Sequence, residues 1–280
     1  MADEINRGFK NSVFIDMFAQ DEYRLELFHT LHPEMTEITA QDIRTVTLKQ
    51  VITNHQYNDL AFIVQDKLMV FVEAQSSWSI NILIRVLLYL ADTIQEYLHE
   101  ENKDIHDEKQ LELPKPEFYI IYTGDRKVPD RISLRKDFYR NADIPIDLEA
   151  TVFTAETDDI IGEYIIFCRV LDDQIKKLGR TKEAAMEAIQ ICQDRGVLVK
   201  YLKEREKEVV DIMIMLFDQE YAVEQYGKQQ KAEGRAEGKA EGGMDMLAEL
   251  VRDKLISIKE AAKRAGMSVA EFSKKTGITL

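Results

Sequence analysis

Asp59, Glu73 and Gln75 are the residues of this 280-residue chain whose types and spacing could do chemistry. Residues 68–76 form an apolar run that sets Glu73 and Gln75 two apart. In a strand, period two puts both on one face with Met69 and Phe71, while Val70, Val72 and Ala74 face the other way. The preceding run, 59–64, opens on an acid, and the polar turn Gln65-Asp66-Lys67 separates the two as a β-hairpin. A hairpin centred on Asp66 sets Asp59 directly opposite Glu73, with Cβ atoms about 4.5–5.5 Å apart. Carboxylates that close repel each other, and one pKa rises unless a cation neutralises the pair. A hard divalent ion with oxygen ligands does so, and Mg2+ (or Mn2+) needs only one or two carboxylates besides water and substrate phosphate. The Ala74 carbonyl could add a ligand, and Gln75 could orient the attacking water or contact the scissile phosphate. Metal and water together give a nucleophile for phosphodiester hydrolysis. The alternative from the same residues is that Asp59 merely starts a strand and that Glu73 and Gln75 form an exposed strand end.

The elements that must position these residues are legible from periodicity. Residues 7–32 repeat apolar positions at helical spacing (Phe9, Val13, Met17 and Phe18, then Leu25, Phe28 and Leu31). The β-branched segment 43–53 reads as a strand ahead of the hairpin. A helix from about 78 to 97 is apolar nearly all round, which predicts burial on most sides. Its polar exceptions, Asn81, Arg85, Asp92 and Glu96, fall on one narrow stripe at 100° per residue. Arg85 on that stripe either holds a phosphate, as arginine does well, or is an ion-paired helix residue. Residues 100–115 read as a charged loop. The apolar run 117–123, closed by Gly124, reads as a sheet-interior strand, and 146–154 as another. From 158 to about 217 the pattern is helical again.

The run from Tyr57 to Ser76, with its Asp59…Glu73-Ala74-Gln75 core and the helix bearing Arg85 and Tyr89, resembles the Rpn-type recombination-promoting nucleases of the PD-(D/E)XK superfamily, a transposase-like branch. The similarity covers roughly residues 5–220. It implies a restriction-endonuclease-like α/β core, a mixed sheet flanked by helices in the order helix, three strands, helix, strand. It also implies Mg2+-dependent endonuclease activity on DNA, tied to recombination or mobile elements, with Asp59 and Glu73 as metal ligands. Gln75 stands where the superfamily more usually has lysine; an amide hydrogen-bonds water or phosphate but supplies no positive charge. The superfamily's frequent extra acid on the first helix has Asp16 and Glu26 as candidates. Lys10 could approach the site as a substrate contact. Homodimerisation is expected because many such nucleases pair to cut both strands. Removing either acid is expected to abolish cleavage with little loss of fold stability. The rival reading is a catalytically inactive scaffold that binds DNA or a protein through its C-terminal helices.

Composition bounds these readings. The chain is 45% hydrophobic and 31% charged, with a net charge of −14, which excludes wholesale disorder. No apolar run approaches the 18 or so residues of a membrane span, and the polar N-terminus points to the cytoplasm. Cys168 and Cys192 cannot build a disulfide framework or a four-ligand zinc site and are read as buried thiols. The five histidines show no metal-ligand spacing, and Trp78 is read as a packing residue. Four segments are expected: a nuclease-like core over 1–155, a helical extension packed on it over 156–226, an Ala-Glu-Gly repeat over 227–243 as a marginal helix or spacer, and a tail over 244–280. The stretch 252–280 carries seven Lys/Arg against three Asp/Glu, leaving −18 on the rest. In the tail a helix, Gly266, then Ser268 with Glu271 three residues on has helix-turn-helix spacing. DNA contact is possible there, but so short a stretch has little material for a core of its own, which favours a helical docking hairpin.

Overall fold

The computed structural model describes residues 8–46 and 59–278, without the side chains of 8–12, of 59 and of most of 219–241. Two helices, α1 (Gly8–Phe18) and α2 (Asp21–Leu31), precede β1 (Ile43–Val46), β2 (Asp59–Val64) and β3 (Leu68–Gln75). Then come α3 (Ile82–Glu100), β4 (Lys115–Tyr122), β5 (Arg131–Ser133), the short α4 (Leu134–Asp137) and β6 (Glu149–Phe153). The remainder is helical: α5 (Ile160–Leu178), α6 (Lys182–Asp194), α7 (Val199–Glu204), α8 (Glu206–Arg252), α9 (Ile258–Arg264) and α10 (Val269–Thr276). The strands form one mixed sheet in the order β1-β2-β3-β4-β6-β5. The chain divides after Glu220 into two compact units.

The hairpin forms as its sequence dictates. Gln65 and Asp66 both adopt the left-handed conformation (φ 47° and 55°), and Lys67 N–H donates to the Val64 carbonyl at 3.0 Å. That is a type I′ geometry, whose twist matches the flanking strands. From it the register runs Val64 opposite Leu68 down to Asp59 opposite Glu73. Strand β3 then pairs parallel with β4, Glu73 beside Ile120 and Gln75 beside Tyr122. A parallel partner needs a crossover, and α3 supplies it.

Alternation along the strands sorts the core into two layers. Leu60, Phe62, Val64, Val70, Val72, Ala74 and Ile121 face a cluster built with α1, α2, α5, α6 and α7. Ala61, Ile63, Met69, Phe71, Phe118, Ile120 and Tyr122 face α3 through Ile82, Leu83, Val86 and Tyr89. Helix α3 covers this face of the sheet, and Ile84 and Leu88 on its outer side are 39% and 37% exposed. The expected burial on most sides therefore fails, because nothing among the described residues covers that side.

Other boundaries shift for local reasons. The helical stretch 7–32 is two helices, interrupted at Ala19 and Gln20; Gln20 is extended, and Asp21 and Glu22 open the second helix favourably against its dipole. Strand β1 ends its described part at Val46, and the rest of the expected strand lies outside the described residues. Strand β5 and α4 were not legible, being too short to show a period. Of the two readings of the Ala-Glu-Gly repeat, the helix is the one observed: α8, 47 residues long, runs through it. Each glycine costs about 1 kcal/mol against alanine, but Ala, Glu, Lys, Arg and Gln between them are the strongest helix formers.

Gly124 is required by space rather than by φ. A Cβ built there would meet the Ser76 carbonyl oxygen and the Tyr122 hydroxyl, both at 2.4 Å. Gly124→Ala is expected to cost about 1–3 kcal/mol as β4 and the end of β3 shift apart. A urea melt of the variant checks it, and an unchanged midpoint would contradict the close approach.

Candidate functional site

The site is built at the end of β3 where β2, β4 and α3 converge. Gln75 carbonyl accepts from Thr123 N–H at 3.0 Å, and Lys67 carbonyl from Lys115 N–H at 2.8 Å, so the backbone groups of odd residues in β3 point toward β4. The even residues therefore point toward β2, which makes Asp59 and Glu73 a non-hydrogen-bonded pair, the kind whose side chains stand closest. By the same alternation the Ala74 carbonyl is turned to the β2 side of the strand, one position beyond Asp59. Position 59 has the strand parity of Ala61 and Ile63, which face α3, as Glu73 does with Met69 and Phe71. Its side chain lies outside the described residues, as does that of Lys10 in α1.

Glu73 and Gln75 are not an exposed strand end: they are 6% and 5% exposed. Arg85, near the start of α3, reaches back over them. Its Nη2 donates to Glu73 Oε1 in an ion pair and stands 3.5 Å from Gln75 Oε1. The two readings left open for Arg85 thus meet an observed ion pair. The Gln75 Nε2 amide and the Thr123 hydroxyl are buried and have no hydrogen-bond partner among the described residues. Such groups cost about 1–3 kcal/mol each when unmet and call for a polar occupant, whether water, phosphate or ion. Tyr89, one turn beyond Arg85, is buried at the same face.

A divalent ion fits this set on its chemistry. Glu73 and the Ala74 carbonyl on β3, and Asp59 opposite Glu73 on β2, are all oxygen donors, the type that suits Mg2+ or Mn2+. Among the described residues, no group of three or more His, Cys, Asp or Glu forms a metal site, and Glu73 already faces a cation in Arg85.

Neither candidate for the extra acid joins Glu73. Asp16 is held by Arg205 (Nη2 to Oδ1 2.8 Å, Nε to Oδ2 3.0 Å) and by the Tyr201 hydroxyl at 2.8 Å. Glu26 lies on α2, where burial and then the charges of Glu163 and Glu22 raise its pKa. Two cavities lie elsewhere, about 540 Å³ along α6 and about 480 Å³ along α3 by Asp92 and Glu96. Cys168 and Cys192 are buried and form no disulfide; burial pushes the Cys192 thiol up to about 12, so it is no nucleophile. Trp78 packs edge-on against Tyr122 at 5.5 Å.

Periodicity missed one network. His32, buried and stacked on Phe28, sits 2.8 Å from Glu117 and 3.2 Å from Glu34. Glu117 also takes Lys115 at 2.7 Å and the Tyr119 hydroxyl at 2.9 Å. The one hint in the sequence was an acid at the mouth of an apolar strand. Burial raises the Glu117 pKa, but Lys115, Tyr119 and His32 together outweigh it and hold the carboxyl below its ordinary value.

No family model, curated protein or solved structure matches the chain. No helix among the described residues is long and apolar enough to cross a membrane.

Two outcomes follow from these contacts. Arg85→Met removes the ion pair of a buried carboxylate and is expected to cost about 3–5 kcal/mol, most of it recovered when Glu73→Gln is added. A double-mutant cycle in urea measures this, and additive losses would contradict the pair. The same pair bears on the expectation of little loss of fold stability on replacing Glu73, since Glu73→Ala removes the ion pair with Arg85. For Glu117 the folded pKa lies below the unfolded one. Its stabilisation is present above the ordinary carboxylate range and is lost as pH falls through the lowered folded value. Glu117→Gln should therefore flatten the acid limb of a stability–pH curve, and an unaltered limb would count against the network.

Proposed function

We propose that the chain is a metal-dependent DNA endonuclease whose site is Asp59, Glu73, Ala74 and Gln75. The observation that carries the reading is the hairpin register. It sets an acid opposite Glu73 as a non-hydrogen-bonded pair, beside an inner carbonyl and a buried amide without a partner. The order helix, three strands, helix, strand agrees with a PD-(D/E)XK core, and the likeness to the Rpn-type branch adds to it.

Glu73, Asp59 and the Ala74 carbonyl would hold Mg2+ or Mn2+. Bound there, the ion supplies positive charge against the phosphate and acidifies water for attack on phosphorus. Gln75 Nε2 has an unused donor with which to fix that water or a phosphate oxygen. Arg85 neutralises Glu73 in the metal-free protein. With a cation at Glu73, Arg85 would be available to hold the phosphate, for which its planar fork is suited. Pairing of two copies, one per strand, belongs to the same reading.

A second reading is favoured by the Arg85–Glu73 pair itself. A nuclease-like scaffold that binds without cutting needs no metal, and here an arginine already neutralises the acid.

Nicking of supercoiled plasmid separates the two. Wild type is expected to nick with Mg2+ or Mn2+ and not in EDTA. Glu73→Gln and Asp59→Asn should each lower the rate at least about a hundredfold, since losing only a ligand's hydrogen-bonded support already costs about 10–100-fold. Equal cleavage by Glu73→Gln, or none by wild type with either metal, would contradict the enzyme reading.

A further inference from the structure

We infer that the C-terminal unit carries a second, separate binding site: a helix-turn-helix that grips the phosphate backbone of duplex DNA. The choice of DNA over other polyanions rests on the nuclease reading; the rest stands on the tail's own geometry.

Shortness does not deprive the tail of a core. The last turns of α8 join α9 and α10 as a third helix. Ala248, Ala261, Ala262 and Phe272 are buried together, framed by Leu247, Val251, Ile256, Ile258, Met267 and Val269. Phe272, at 0% exposure, is the centre of a core that the tail alone was not expected to have. Between α9 and α10 lies a short turn, Ala265 to Ser268, with Gly266 at φ +70°. A short turn containing glycine between two such helices is the helix-turn-helix pattern.

The charges are arranged for a polyanion. Every one of the seven Lys/Arg in 252–280 is exposed. Of the five acids from 244 onward, Asp245, Glu249 and Asp253 are exposed, and Glu260 is paired with Arg264 at 3.0 Å. Glu271 is committed to the Ser268 capping box, which holds its carboxyl below the ordinary value. Among the described residues Lys254, Lys259, Lys263 and Lys274 enter no ion pair. Lys259 and Lys263 stand one turn apart on α9. Ala270 and Lys274 each lie two positions from Phe272, which at helical spacing places both on the opposite face of α10. That puts Ala270 and Lys274, with exposed Glu271 and Lys275 beside them, on the outer face of the second helix, the one that enters the major groove in this motif.

The test uses the full chain and a short fluorescein-labelled duplex of mixed sequence in EDTA, followed by anisotropy between about 50 and 200 mM KCl. Wild type should bind with a steep salt dependence. Lys259→Gln/Lys263→Gln/Lys274→Gln should weaken binding at least about tenfold at low salt and lower the log–log slope by about 0.9 per lysine. Sedimentation velocity of the same variant should show an unchanged oligomeric state. Unaltered affinity and slope, or no duplex binding by wild type, overturns the inference. So does a variant that binds as before but dissociates, since the tail would then be a protein-docking surface. Duplex binding retained by Glu73→Gln without cleavage, in the nicking assay, leaves this inference standing while testing the hairpin separately. If plasmid is nicked but the triple variant binds like wild type, the tail reading alone fails.

Discussion

Burial of the Glu73 carboxylate beneath Arg85 is the constraint around which the α/β unit is arranged. An ionised carboxylate in the interior of a sheet costs several kcal/mol unless it meets a cation and donors. The chain meets that demand through topology. Strand β3 lies between β2 and β4, and α3, the crossover to the parallel β4, returns Arg85 over the strand end ten residues after Gln75. Such a pair adds little over an apolar one of the same volume. Stability alone therefore gives little reason for its presence, and the proposed role in catalysis or recognition would supply one.

Much of this was legible in the sequence, because the hairpin is a local object. Strand parity and the opposition of Asp59 and Glu73 follow from the spacing around Asp66, whereas the left-handed backbone at Gln65 and Asp66 does not. The alternation of Val70, Val72 and Ala74 against Met69 and Phe71 divides the two core layers as read. What escaped was non-local or cumulative. Periodicity places Arg85 on a polar stripe but cannot say that the stripe's edge faces Glu73. Asp16 pairs with Arg205 across nearly the whole length of the unit, a distance no spacing rule spans. The continuity of α8 through its glycines depends on summed propensity rather than on any single residue. The tail's core, built on Ala248, Ala261, Ala262 and Phe272, depends on contacts between three helices, which spacing within any one of them does not show.

The chain thus combines an α/β unit that buries an acid–arginine pair with an amide beside it, and a small helical unit whose seven Lys and Arg over 252–280 are exposed. On the proposed reading, chemistry would be done at the first and a polyanion held by the second, where exposure allows counterion release.

Whether a divalent ion takes over Glu73 from Arg85 is the point on which the functional account turns. Calorimetric titration of Mn2+ into wild type and into Glu73→Gln measures this directly. The account predicts one saturable site in wild type that is absent in the variant. Identical isotherms for the two proteins, or no binding to either, would contradict it.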